Sequence, residues 1–209
     1  MPIIATTNQT QRELVPVGNH LAICYQMIEI GTVEEIVMNE KKILKKVRIG
    51  WELPNETKVF NEEKGEQPFV MSKEYTLSMH EKSTLRADLK SWRGKDFSED
   101  EAKAFDITKL LGKPCMINVI HKPSKDGLKT YSQISAITGV PKGMTVPPQS
   151  NRTICLSYDN FDENEFNALP DFIKDKMKTS IEYAAMKQPN HVNMSQAEHV
   201  SEPVDDLPF

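Results

Sequence analysis

The residues best placed to do chemistry in this chain are cations, one tyrosine and a terminal pentapeptide, and the chemistry they suit is recognition. Lys82, Arg86, Lys90, Arg93 and Lys95 crowd around a single acid, Asp88, while Lys122, Lys125 and Lys129 flank an Asp126-Gly127 turn signal. Such clusters meet phosphate, because affinity for a polyanion follows local Lys and Arg and not total charge. Arg48, beside Lys46 on the polar face of its strand, joins the same set of candidates. Tyr131 shares its parity with Lys129, Gln133 and Ser135, so its ring is expected to face outward, where a base can stack. The last five residues, Asp205, Asp206, Leu207, Pro208 and Phe209, read as a ligand for a partner protein. Leu207 and the Phe209 ring would fill an apolar pocket, the carboxylates would meet Arg or Lys at its rim, and Pro208 limits the entropy lost on docking.

Other chemistries find little to work with. Glu99, Asp100 and Glu101 are clustered as a metal-dependent nuclease would need, but they follow Ser98 at a helix start, where acids are expected for helix-dipole reasons. Cys24, Cys115 and Cys155 are widely spaced and the five histidines scattered, so neither a disulfide framework nor a zinc site is indicated. There is no Gly-rich phosphate loop, no His-Glu-x-x-His and no Gly-x-Ser-x-Gly. The expectation is a protein that is not an enzyme and uses no cofactor and no metal.

The elements that must position these residues are mostly strands. Residues 20–30 alternate, with Leu21, Ile23, Tyr25 and Met27 on one parity and His20, Ala22, Cys24 and Gln26 on the other. Residues 41–53 place Val47, Ile49, Trp51 and Leu53 on one face, which assigns Trp51 to the core and not to a stacking surface, and leave Lys46, Arg48 and Glu52 on the other. Residues 69–79 alternate again, with Lys73 as the exception. A helix follows over 83–93, where Leu85, Leu89 and Trp92 form a stripe and Gly94 stops it; Ser98 and Glu101 make a capping box for a second, short helix. Residues 115–120 are apolar on both parities, as in a central strand, and lead through the Asp126-Gly127 turn into residues 128–137 as a hairpin. Three strands, a helical insertion and a hairpin are the order of an OB-fold, a five-stranded barrel often used to bind nucleic acid. The expected class is therefore mainly β, with the helical insertion between strands 3 and 4.

Residues 1–148 are assigned to this barrel domain. Residues 149–187 read as a linker and a helix, with Pro170 in its first turn and a stripe of Ile173, Met177, Ile181 and Ala184 packing on the barrel or on another subunit, which leaves room for a homo-oligomer. Residues 188–209 contain no Lys or Arg and read as a disordered acidic tail. The net charge of −4 divides accordingly: residues 1–158 carry +3 and residues 159–209 carry −7. No apolar run is long enough to span a membrane and no signal peptide opens the chain, so a soluble, cytoplasmic protein is expected.

Several segments together resemble a family of phage and prophage single-stranded DNA-binding proteins. They are Val47-Arg48-Ile49-Gly50-Trp51-Glu52-Leu53-Pro54, Ser72-Lys73-Glu74-Tyr75-Thr76-Leu77-Ser78, Leu89-Lys90-Ser91-Trp92-Arg93-Gly94, Leu110-Leu111-Gly112-Lys113-Pro114-Cys115, Lys129-Thr130-Tyr131, Leu169-Pro170-Asp171-Phe172 and the terminal Asp-Asp-Leu-Pro-Phe. The resemblance implies binding of single-stranded DNA without strong sequence preference during replication and recombination, and recruitment of replication, recombination and repair proteins through the C-terminal tip. The chain departs from ordinary bacterial members in lacking a Gly/Gln/Pro-rich linker. The alternative from a different class is a non-catalytic OB-fold adaptor that binds proteins in place of DNA.

Overall fold

The computed structural model describes residues 13–188 apart from Lys125. Lys125 and the tip residues Asp205, Asp206, Leu207, Pro208 and Phe209 lie outside the described residues. Strand β1 (Gly18–Val37) runs for 20 residues and organises everything else. It turns into β2 (Glu40–Asn61) through Met38 and Asn39, whose φ angles of 53° and 63° are the left-handed pair that a tight hairpin requires. β3 (Gly65–Thr76) pairs antiparallel with β2. On the other edge of β1, β4 (Pro114–Pro123) pairs antiparallel with Gly18 to Ile23 and forms a hairpin with β5 (Thr130–Thr138). Further along that edge, β6 (Ile154–Leu156) pairs in parallel with Gln26 to Ile28.

The mainly β expectation holds at that level. The sheet has six strands where five were expected, in the order β3-β2-β1-β4-β5 with β6 beside β1, and it is open: β3 and β5 share no ladder among the described residues.

The helical insertion forms as its caps dictate. Helix α1 (Thr84–Arg93) starts where the Ser83 hydroxyl accepts from the Arg86 N–H and stops at Gly94, whose φ of 71° lets its N–H reach the Lys90 carbonyl at 2.9 Å. Helix α2 (Glu99–Lys103) opens on the Ser98–Glu101 capping box, present in both directions. Leu85, Leu89 and Trp92 point into a first core with Val47, Ile49, Trp51, Leu53, Met71, Tyr75, Val119 and Ile134. Trp51 is 0 % exposed, as its parity required, and its ring lies 6.1 Å from that of Trp92. The Trp92 indole N–H donates to the Pro114 carbonyl at 2.9 Å, whereas that of Trp51 finds no acceptor among the described residues.

Residues 149–187 correct the linker reading. Besides β6 they supply helices α3 (Glu163–Ala168), α4 (Asp171–Lys178) and α5 (Ile181–Lys187). A second core unites Ile28, Ile30 and Val33 of β1 with Leu156, Phe166, Leu169, Ile173 and Met177. The single apolar stripe is broken: α4 ends at Lys178 with Thr179 as its cap, and Ser180 caps α5 by accepting from the Tyr183 N–H at 3.1 Å, so Ile173 and Met177 are buried while Ile181 and Ala184 are exposed. A serine hydroxyl that can satisfy a free N–H competes with helix continuation. Pro170 is the residue before α4, not part of its first turn.

Glu52 is a second correction. Expected on a polar face, it is fully buried opposite Ile23 and accepts 2.7 Å bonds from the Ser150 and Asn151 N–H groups and from Asn151 Nδ2, which tie the loop after β5 to the sheet.

Candidate nucleic-acid interface

Register places two hairpin turns at one end of the sheet. β1 begins at Gly18, opposite Val119, and both β2 and β4 run past that point before turning, β2 into β3 and β4 into β5. The entering chain ties them together. The Val15 carbonyl accepts from His121 Nε2 at 2.8 Å and from the Ser132 hydroxyl at 3.2 Å, Glu13 pairs with Lys58 of β2, and the His20 ring meets the Pro16 carbonyl at 2.8 Å and Glu56 at 2.9 Å. The hairpins are thus held as a pair.

On the β4–β5 hairpin, Tyr131 is 46 % exposed and lies directly across from Lys122, which is exposed as well. Lys129 is exposed at the turn, where Gly127 takes a φ of 70° and the Asp126 carboxylate accepts from the Ser124 hydroxyl and the Leu128 N–H, bonds that hold its pKa below the usual range. On the β2–β3 hairpin, sequence reasoning missed Phe60, which is exposed and meets Phe69 edge-on at 5.1 Å. It lies in a stretch read as a polar loop, at the register shift between Val59 and Asn61, where alternation gives no signal for it.

The helical cluster is different in kind. Arg86 is only 6 % exposed; its guanidinium donates to the Met79 and Phe97 carbonyls at 3.1 and 3.0 Å and to Glu99 at 3.2 Å. It clamps the segments flanking α1 and has no face left for phosphate, which corrects its place among the nucleic-acid candidates. Lys90 pairs with Asp96 at 2.6 Å, and Arg93 pairs with Glu101 at 2.6 Å while lying 4.9 Å from the Phe97 ring centre. Arg93 and the Ser98 N–H hold the Glu101 carboxyl down to about 2. Asp88, expected among these cations, instead accepts from Lys73 at 2.6 Å and from the Tyr75 hydroxyl at 2.8 Å. With burial as the larger cause, Asp88 pushes the Tyr75 hydroxyl far above its ordinary pKa. Lys82 has no carboxylate within 4 Å among the described residues, and with Lys42, Lys46, His80 and Thr84 it lines a cleft of about 710 Å³ between the β2–β3 edge and the start of α1.

Arg48 sits apart from both groups, midway along β2 between Ile28 and Glu74. It donates to the Ser72 hydroxyl and lies 5.2 Å from the centre of the Phe172 ring of α4. Burial depresses its pKa, with Glu74 acting in the opposite sense.

No protein-family model matches the chain and no curated protein matches it. The acids at α2 are each engaged within the fold, Glu99 with Arg86, Asp100 with Lys103 and Glu101 with Arg93. Among the described residues no three His, Cys, Asp or Glu side chains converge as metal ligands, and no helix is long and apolar enough to cross a membrane.

Proposed function

We propose that the protein binds single-stranded DNA without strong sequence preference, through an OB-type body, in phage-type replication and recombination. The observation that carries this reading is the pairing of outward aromatic faces with cations at one end of the sheet: Tyr131 with Lys122 and Lys129 on one hairpin, Phe60 on the other. Any base has a π-face, so such a surface holds single strands regardless of sequence, while lysines follow the backbone. Support for an OB-type body comes from the strand order, from one core shared by β1 to β5, and from α1, which packs against β3 and β5 at the two ends of the path. Recruitment of replication and repair proteins by Asp205 to Phe209 rests on the sequence alone.

A labelled oligo-dT titration at about 50 and about 200 mM salt tests the reading: affinity should fall steeply as salt rises. Tyr131→Ala should weaken binding by about 1 to 3 kcal/mol with little change in Tm. Absence of binding at low salt would leave the adaptor reading, which the exposed Val59, Phe60 and Val70 on the β2–β3 hairpin favour.

A further inference from the structure

Phe172 is the most exposed aromatic among the described residues, at 62 %. Its helix does not need it there. Leu169, Ile173 and Met177 already bury one side of this segment in the second core, and Lys176 fixes it to the sheet through 2.6 Å bonds to Glu35 of β1 and Glu74 of β3. The ring is nonetheless held in place from below, because the Arg48 guanidinium lies 5.2 Å from its centre and is itself tethered to Ser72. A cation against one π-face leaves the other available for a flat apolar group.

Arg48 adds a second, independent argument. It is half-buried, yet among the described residues no carboxylate lies within 4 Å of it. Around it Lys46 and Lys176 are matched by Glu35 and Glu74, so the surplus charge of the group is that of Arg48. A partly desolvated cation without a counter-ion is costly, and an arriving anion offsets that cost. Asp171, the other acid next to Phe172 in the chain, is taken up by Lys174 at 2.9 Å.

We propose that Phe172 and Arg48 form a nucleotide subsite of the single-strand path, with a base stacked on the outer face of the Phe172 ring and an adjacent phosphate drawn to the Arg48 guanidinium. The subsite rests on the single-strand reading and extends it along β2 away from the β2–β3 turn, Arg48 and Phe60 being separated by roughly 40 Å of strand contour. Little ordering is required, because ring, guanidinium and helix are each already fixed.

The test uses the full chain, oligo-dT anisotropy at about 50 and about 200 mM salt, and photocrosslinking of a bromouridine-containing oligonucleotide with peptide mapping. Phe172→Leu keeps apolar volume but removes the π-face and should weaken binding by about 5-fold or more, while Phe172→Tyr should restore it. Arg48→Gln should lower the salt slope by about 1. The wild-type crosslink should map to the peptide containing Phe172, a readout that stands even if Phe172→Leu folds poorly. Wild-type binding that Phe172→Leu leaves unchanged, with crosslinks confined to the hairpins, overturns the subsite alone. No binding by the wild type overturns the single-strand reading and the subsite with it.

Discussion

The two cores of this protein share one strand and are built in opposite ways. The first takes Ala22, Cys24 and Met27 of β1 into an apolar interior closed by Trp51, Trp92 and the α1 stripe, with the Tyr75 hydroxyl bonded to Asp88 at its edge. The second takes Ile28, Ile30 and Val33 and is tied down by polar contacts. The Tyr158 hydroxyl meets Ser180 at 2.7 Å and the Ile30 carbonyl at 3.1 Å, Glu29 accepts from the Tyr158 N–H at 3.0 Å, and Glu182 accepts from the Thr32 N–H and hydroxyl at 2.6 and 2.7 Å. A core made of alternating strand residues needs little more than apolar area, about 25 cal/mol for each Å² removed from water. Short helices laid on a strand must in addition satisfy the polar groups they cover.

Trp51→Ala should produce the largest effect, about 3 to 5 kcal/mol, because it leaves a large cavity at the centre of the first core. Denaturant unfolding followed by the fluorescence of Trp92 measures it, and a loss under about 1 kcal/mol would mean the first core does not depend on ring packing. Gly31→Ala should come next, at about 2 to 4 kcal/mol. A Cβ there would sit 2.7 Å from Ser180 Cβ and 2.8 Å from Tyr158 Cε2, at a φ of 93° that side chains resist. Hydrogen exchange should then rise over residues 158–187 while Trp fluorescence stays native, since both tryptophans lie in the first core. Uniform loss of protection would show that the two cores unfold as one.

Acid should separate them more gently. Burial would raise the Glu35 carboxyl, but Lys176 and Lys46 more than cancel it; burial likewise opposes the Thr32 bonds at Glu182 and loses. Both groups are therefore held below the ordinary value of 4.5, so their contribution is complete above that pH and is lost as pH falls through the depressed values. Exchange in α4 and α5 should accelerate below about pH 4.5 before the tryptophan signal moves, and simultaneous loss would remove the distinction.

The same contrast explains what the sequence made legible. Parity placed Trp51, caps placed α1 and α2, and the Asp126-Gly127 turn signal placed the β4–β5 hairpin, because each signal is local. Glu52 looked like a surface residue since its partners, Ser150 and Asn151, lie 98 and 99 positions away and offer backbone N–H groups that no side-chain pattern reveals. Arg86 was misread for the same reason, as its partners are mainly carbonyls. Of the candidate interface, Tyr131, Lys122 and Lys129 were visible as outward positions on a hairpin. Phe60 and Phe172 were not, because exposure of a phenylalanine depends on which neighbours already cover the core.

The length of β1 also sets an order of events during synthesis. Thr32 meets its partner Glu182 only 150 positions later, so the far half of this strand emerges without its cover. At about 5 to 20 residues per second the wait is roughly 8 to 30 s, long compared with the microseconds in which a hairpin closes. β1 and β2 can pair at once and β4 can close the near half, while Ile28, Ile30 and Val33 stay open to the surroundings until the last helices arrive. The nascent chain therefore passes through a half-covered stage whose exposed strand is the one on which the finished fold most depends.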